Sequence, residues 1–249
     1  MHRLTVQAGA RSVALILESS VARQRNRTDA PRPSPPFEGE PEKRRAILHA
    51  ALKVFAERGY HGCRIADVAS QAGVAYGLVY HYFRNKDELL ESVFDEQWTL
   101  FIGAIRAIAD GPGTAAEQVA SVIRFALDVF RTAPAAVRVL ILEVPRTPDV
   151  LRAGSTRQTF ETAIRLVADM VARGQREGEI RADLDALVAA ASVLGVLDMN
   201  LAGMVTGLLT APHPSEEELE RMKRQVVSAA MGAILAPRIS IAETAQGDP

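Results

Sequence analysis

From residue 42 to residue 237 apolar positions recur every three or four residues and do not alternate with polar ones over a strand's length, so the pattern predicts an all-α chain. Ile47, Ala51, Val54, Phe55 and Arg58 keep helical spacing as far as Gly59, which predicts a stop. Two short helices follow, Ile65 to Ala72 ended by Gly73, and about Ala75 to Phe83. Asn85-Lys-Asp-Glu88 has the form of a capping box opening a longer helix to about Ala109, and Thr114-Ala-Ala-Glu117 repeats it for a helix to about Arg131. Pro134 and Pro148 sit where a first helical turn tolerates proline. Further helices are expected from Ser155 to Gly174, from Asp183 to about Leu209, and after the box Ser215-Glu-Glu-Glu218, where Leu219, Met222, Val226 and Ala230 share a face. The total is about nine helices and no strand.

Two stretches fall outside this pattern. In residues 1–41, Arg23, Arg25 and Arg27 precede Pro31, Pro33, Pro35, Pro36 and Pro41, a spacing that forbids helix and reads as a disordered leader or a basic arm on phosphate. The apolar run Val13 to Leu17 is too short for a secretory signal and is followed by Glu18 and arginines, so a cytoplasmic protein is expected. Residues 238–249 read as a flexible tail.

Composition is ordinary for a globular protein of 249 residues, 48% hydrophobic and 24% charged. Its distribution is not. Residues 1–91 carry 14 Lys/Arg against 10 Asp/Glu, and residues 92–249 carry 15 against 20, so a basic first third is joined to an acidic remainder. Nine of the thirteen aromatic residues fall between Phe55 and Phe101. Cys63 is the single cysteine, with no partner for a disulfide, and no second His/Cys pair joins His61 and Cys63 as zinc ligands, so no metal and no cofactor are expected.

The two short helices, joined by Gln71-Ala72-Gly73-Val74, make a helix-turn-helix: Ala69 permits close backbone approach, Gly73 takes the turn and Val74 plugs the gap. Around it stand Phe55-Ala-Glu-Arg-Gly-Tyr-His-Gly62, Ile65-Ala-Asp-Val-Ala69, Gly77-Leu-Val-Tyr-His-Tyr-Phe83 and Lys86-Asp-Glu-Leu-Leu90. In order and spacing these stretches resemble the DNA-binding domain of the TetR family of transcriptional regulators. The resemblance implies a DNA-binding domain over 42–90, a ligand-binding and dimerisation domain over 91–237, and a homodimer on double-stranded, palindromic operator DNA. It places Tyr76, Gly77, Leu78 and His81 at base edges, and Tyr80, Tyr82 and Lys86 at phosphates. Arg44, Arg45 and Arg64 join the phosphate set on charge alone. Two positions depart from the family pattern: Cys63-Arg64 replaces a Thr/Ser pair, and Ala75 replaces a serine, each losing a hydroxyl that could cap a helix.

Trp98, Phe101, Ile102 and Ile105 on one helix, Ile123, Leu127 and Phe130 on the next, and Phe160, Ile164 and Val167 on a third could line an apolar effector pocket or simply form core. The run Gly73 to Trp98, Ile141 to Arg146 and the helix opening at Asp183 resemble the fatty-acid-metabolism branch of the family, whose effectors are long-chain acyl-CoA thioesters. The alternative is a drug- or metabolite-sensing repressor of an efflux or catabolic gene. Residues 186–209 hold one charge, Asp198, with Gly203 and Gly207 at helix-pairing spacing. That run is long enough for a membrane span, but Ser192, Asp198 and Asn200 would sit in hydrocarbon, so a dimer helix is expected instead. Ala191, Gly195, Asp198, Gly203, Met222 and Val226 are its candidate interface. No nucleophile elbow, phosphate loop, metalloprotease motif or carboxylate pair suggests an enzyme, and Glu143 and Asp198 read as buried hydrogen-bonding acids.

Overall fold

The computed structural model describes residues 40–147, 154–210 and 214–236, and among them it contains nine α-helices and no strand. Residues 1–39 of the expected leader, Pro148 and the expected tail lie outside these residues; Glu40 and Pro41, expected in the leader, instead begin the first helix, because a first helical turn tolerates proline. Helix α1 runs Glu40–Gly62 and buries Ile47, Leu48, Ala51, Val54 and Phe55 along one face. Its helical path breaks at Gly59, whose φ of 72° and ψ of 161° belong to a region that side chains avoid. Helix α2 (Ile65–Ala72) is closed by Gly73 at φ 66°, with Val74 N–H returning to Ala69 O at 3.0 Å. Helix α3 (Tyr76–Tyr82) is capped by Ala75 without a side-chain hydrogen bond.

Helix α4 (Lys86–Ala109) opens on Asn85, whose side chain accepts from Glu88 N–H at 2.8 Å. The box is displaced by one residue, because Glu88 turns its carboxylate to the N–H of Arg84 at 2.7 Å. Helix α5 (Ala115–Thr132) has the complete reciprocal box between Thr114 and Glu117. Helix α6 (Pro134–Arg138) starts on proline and continues into a π-helical turn, Val139–Glu143, and a 3₁₀ turn, Val144–Arg146. Helix α7 (Gly154–Arg176) and helix α8 (Ala186–Val205) follow. The start expected at Asp183 moves to Asp185, which caps Leu187 and Val188 N–H, while Asp183 is held by Arg181 at 2.5 Å. The helix also ends four residues before Leu209, because Gly207 at φ 75° turns the chain so that Leu208 and Leu209 N–H return to Gly203 O. Helix α9 (Glu216–Gly232) carries the Ser215–Glu218 box.

Two cores result. One gathers α1, α2, α3 and the start of α4 around Phe55, Phe83, Leu90 and Phe94, and reaches Val139 and Val144 in the π and 3₁₀ turns. The other gathers α5, α7, α8, α9 and the far end of α4 around Ile105, Ile123, Leu127, Val167 and Ala190. Helix α4 spans both. Its 24 residues make it about 36 Å long at 1.5 Å per residue.

Packing at two glycines separates close approach from mere permissiveness. A Cβ on Gly174 would meet Ile180 Cδ1 at 2.8 Å and Ala115 Cβ at 3.1 Å, whereas one on Gly103, in the middle of α4, meets nothing within 4 Å. Gly174→Ala is therefore expected to destabilise the protein by about 1–3 kcal/mol and Gly103→Ala to stabilise it by up to about 1 kcal/mol. Thermal unfolding of both variants checks the opposite signs.

Candidate nucleic-acid interface and interior pocket

Helix α3 stands on two side chains. Val79 and Phe83 are buried, which turns Tyr76, Gly77, Tyr80 and His81 outward together and leaves Leu78 and Tyr82 half-buried at the margins. Tyr76 and Tyr80 remain 54% and 44% exposed, with rings edge-to-face at 5.3 Å and hydroxyls 3.3 Å apart. That hydrogen bond from Tyr76 raises the pKa of the Tyr80 hydroxyl. Gly77 has open space where a Cβ would stand, so nothing within the chain prevents close approach from outside. Two large aromatic rings held in water on a seven-residue helix form a surface shaped for contact.

The basic residues divide. Arg44, Arg45 and Arg64 are exposed. Arg44 lies 5.3 Å above the Phe83 ring, bracing α1 against α3. Arg44 and Arg45 also face Glu96 on α4, where burial pushes the carboxyl up and these arginines with His49 pull it back. Arg64 occupies the cap of α2 but has no acceptor atom, so the box is half made: its N–H donates to Asp67 at 2.8 Å, and Asp67 also pairs with Arg58 at 2.7 Å. These contacts hold the Asp67 carboxyl below its usual range, the backbone hydrogen bond being the largest cause. Lys86 points inward more than its charge suggested. Its ammonium donates to Tyr60 O at 2.8 Å and Cys63 O at 3.2 Å and sits 4.3 Å over the Tyr60 ring, which leaves one of its three N–H bonds. Cys63 is buried, and burial raises its thiol pKa, so it is poorly suited to redox chemistry.

Tyr60 gathers more than Lys86. Its hydroxyl donates to Asp87 at 2.5 Å, and its backbone N–H donates to Glu143 at 2.7 Å. Glu143 closes the π turn, is 8% exposed, and crosses 83 positions of sequence to make that bond. Sequence reading placed it as a buried hydrogen-bonding acid without a partner, since no local pattern points to one so distant.

The expected pocket residues also divide. Ile105, Ile123, Leu127, Phe130 and Val167 fill the core. Trp98, Phe101, Ile102 and Ile164 are half-buried and Phe160 is exposed. Trp98 lies 5.1 Å from both Phe101 and Phe160, and the cluster extends to Phe94 and Phe125, which the sequence pattern had not singled out. Aromatic residues need not follow a helical stripe to meet across three helices.

On α8, Ala191, Gly195 and Asp198 lie on an exposed face with Leu187, Val188 and Met199, the last 71% exposed. Partial desolvation on this apolar face raises the Asp198 carboxyl. Two residues expected at the same seam belong to the protomer's interior. Gly203 is buried under Leu209, whose Cγ and Cδ1 would lie 2.6 Å from an added Cβ, and Val226 is 4% exposed within the second core. Met222 is half-buried beside them.

Residues 47–93 match the family model described as bacterial regulatory proteins, tetR family, and residues 116–229 match one described as a tetracyclin repressor-like C-terminal domain. The fatty acid metabolism regulator protein of Bacillus subtilis is 31% identical over 152 residues, 61% of this chain and 78% of the relative. The transcriptional repressor KstR2 of Mycolicibacterium smegmatis is 24% identical over 153 residues, 61% of this chain and 75% of its own. Among solved structures, the transcriptional regulator FadR from Bacillus subtilis in complex with stearoyl-CoA superposes with a TM-score of 0.66 at 26% identity, covering 75% of this chain and 97% of that one. The fatty acid degradation regulator FadR from Bacillus halodurans, at 24% identity, shares the fold with a TM-score of 0.68 over 81% of this chain and 97% of its own.

The Tyr60–Glu143 bond is open to direct test. Glu143→Leu leaves the Tyr60 N–H buried without an acceptor and is expected to cost about 1–3 kcal/mol in chemical denaturation. Glu143→Gln keeps an acceptor oxygen and is expected to cost clearly less.

Proposed function

As the chain belongs to the TetR family of bacterial regulatory proteins and is a DNA-binding transcriptional regulator, we propose that it is a cytoplasmic repressor, a homodimer on a palindromic operator, released by a long-chain acyl-CoA thioester. The outward face of α3 carries this reading. Tyr76, Gly77, His81 and the margin residue Leu78 would meet base edges, Tyr80 and Tyr82 the phosphates on either side. Arg44, Arg45 and Arg64 would add charge along the backbone, and Lys86 would offer its remaining N–H. In a two-fold dimer the two α3 helices enter successive major grooves, about 34–36 Å apart.

The dimer is proposed on the exposed face of α8 together with α9. Helix α8 is 20 residues long, with a mean hydropathy of 1.7 and only 39% of its most apolar stretch buried. By length and composition alone such a helix could cross a membrane. Its small exposed residues Ala191 and Gly195 instead suit the close approach of a partner helix, and Asp198 can then hydrogen-bond at the seam.

The effector reading rests on the stearoyl-CoA complex of a relative and on the aromatic cluster around Trp98. Helix α4 carries both Trp98 and Lys86, so a ligand that favours one tilt of α4 displaces the Lys86–Tyr60 contacts and with them the spacing of the two α3 helices. Such a ligand acts only through its differential affinity for the two arrangements. Replacing Phe101 by a polar residue is expected to weaken this response with operator binding in its absence near normal.

Footprinting on the protein's own promoter region is expected to reveal a symmetric protected site at nanomolar protein, and its absence would remove the repressor reading. On that site His81→Ala and Tyr76→Phe are expected to alter preference at particular base pairs by about 1–3 kcal/mol, while Lys86→Ala weakens all sequences alike and lowers the salt slope by about one. Gly195→Leu is expected to yield monomers in sedimentation that bind operator poorly. Gly203→Leu disturbs the packing of Leu209 instead and is expected to reduce stability first.

A further inference from the structure

Among the described residues, three side-chain atoms buried from solvent lack any hydrogen-bond partner: Asp95 Oδ1, Trp98 Nε1 and Thr156 Oγ1. Buried polar groups are almost always paired, so each such atom calls for a reason. All three belong to one region. Asp95 lies one turn before Trp98 on α4, and Thr156 lies one turn before Phe160 on α7. The rings of Trp98 and Phe94 are 5.1 and 5.4 Å from that of Phe160, so the turn of α7 bearing Phe160 packs beside the turn of α4 bearing Asp95, with Thr156 one turn earlier on α7. Thr156 is 0% exposed and continues the inward stripe of Ala163 and Val167. Along α4, Asp95 thus stands between Phe94 and Trp98, within the span of the aromatic cluster.

We propose that Asp95, Trp98 and Thr156 form a polar subsite for the neutral linkage of an acyl ligand, a carbonyl followed by an amide N–H. This rests on the acyl-effector reading and specifies which acyl compounds are accepted. The indole N–H can only donate and the threonine hydroxyl can donate, so together they hold a carbonyl oxygen. Asp95 Oδ1 accepts, so it suits an N–H further along the ligand. A thioester of a pantetheine-like arm presents these two groups in that order. A free fatty acid does not, since its carboxylate would meet Asp95 and, one turn away, Glu91. Burial, with Glu91 adding to it, already raises the Asp95 carboxyl, which marks the place as unfavourable to a further negative charge.

Calorimetric titration of the full-length protein separates these possibilities with four probes: S-palmitoyl-N-acetylcysteamine, which holds the linkage without nucleotide or phosphate, palmitate, palmitoyl-CoA, and cetyltrimethylammonium below its micelle concentration. The wild type is expected to bind the cysteamine thioester at least tenfold more tightly than palmitate. Thr156→Val, close in shape and free of the orphaned hydroxyl, is expected to weaken thioester binding about tenfold without lowering the melting temperature. Asp95→Asn is expected to narrow the gap by tightening palmitate. Equal affinity for thioester and palmitate, or thioester affinity unchanged in both variants, overturns the subsite and leaves the acyl-effector reading standing. Tighter binding of cetyltrimethylammonium than of the thioester overturns it in favour of a cation site. Failure of the wild type to bind palmitoyl-CoA as well as the smaller probes overturns the effector reading itself, and the subsite's ligand with it.

Discussion

Tyr60 is the point at which the DNA-facing helices and the rest of the chain are held to one another. Its N–H, carbonyl and hydroxyl are bonded to Glu143, Lys86 and Asp87, and the Lys86 ammonium covers its ring. This is possible only because Gly59 breaks α1 at a backbone angle that other residues resist, swinging the next peptide away from the helix axis. A continuous helix would bury the Tyr60 N–H in its own ladder and leave Glu143 an unpaired buried carboxylate, which is a costly arrangement.

That junction joins three separate elements: the end of α1, the start of α4, and the π turn after α6. A π turn is an uncommon and locally weaker winding, often kept where it aims a side chain. Here it ends on Glu143 and brings Val139 and Val144 into the core of the DNA-facing helices. The two halves are therefore coupled twice, by α4 running through both cores and by the π turn reaching back. A shift of α4 cannot be absorbed silently, since Lys86 must either carry Tyr60 with it or give up its carbonyl partners.

Local devices were legible in the sequence, and distant ones were not. The boxes Thr114–Glu117 and Ser215–Glu218 stand where their spacing puts them, because a cap is an interaction over three residues. Asp183 misled because Arg181 competes for its carboxylate, leaving Asp185 as the cap, and only the fold of the preceding turn decides between them. The outward set on α3 follows from periodicity once Val79 and Phe83 are recognised as its anchors. Glu143, by contrast, owes its role to an 83-residue separation that no pattern carries. Gly203 shows the same limit. Small residues on an apolar helix permit close approach, but the sequence does not say whether to a partner or, as here, to the chain's own Leu209.

The same reasoning bears on what α8 packs against. A membrane-spanning helix is apolar around its whole circumference, because lipid surrounds it. In α8 one side is already committed to Ala189, Ala190, Val193, Leu197 and Leu201 in the second core. The opposite side mixes Leu187, Val188 and Met199 with Ser192 and Asp198. Facing hydrocarbon, that aspartate would have no donor in reach; facing a second protein surface, it can be satisfied while the neighbouring aliphatic residues are buried. Helix α9 lies alongside, and its Glu218, Arg221 and Gln225 line a cavity together with Asn200 and Leu209. Composition alone makes α8 ambiguous, and the division of its surface into a spent face and a mixed one favours a protein partner.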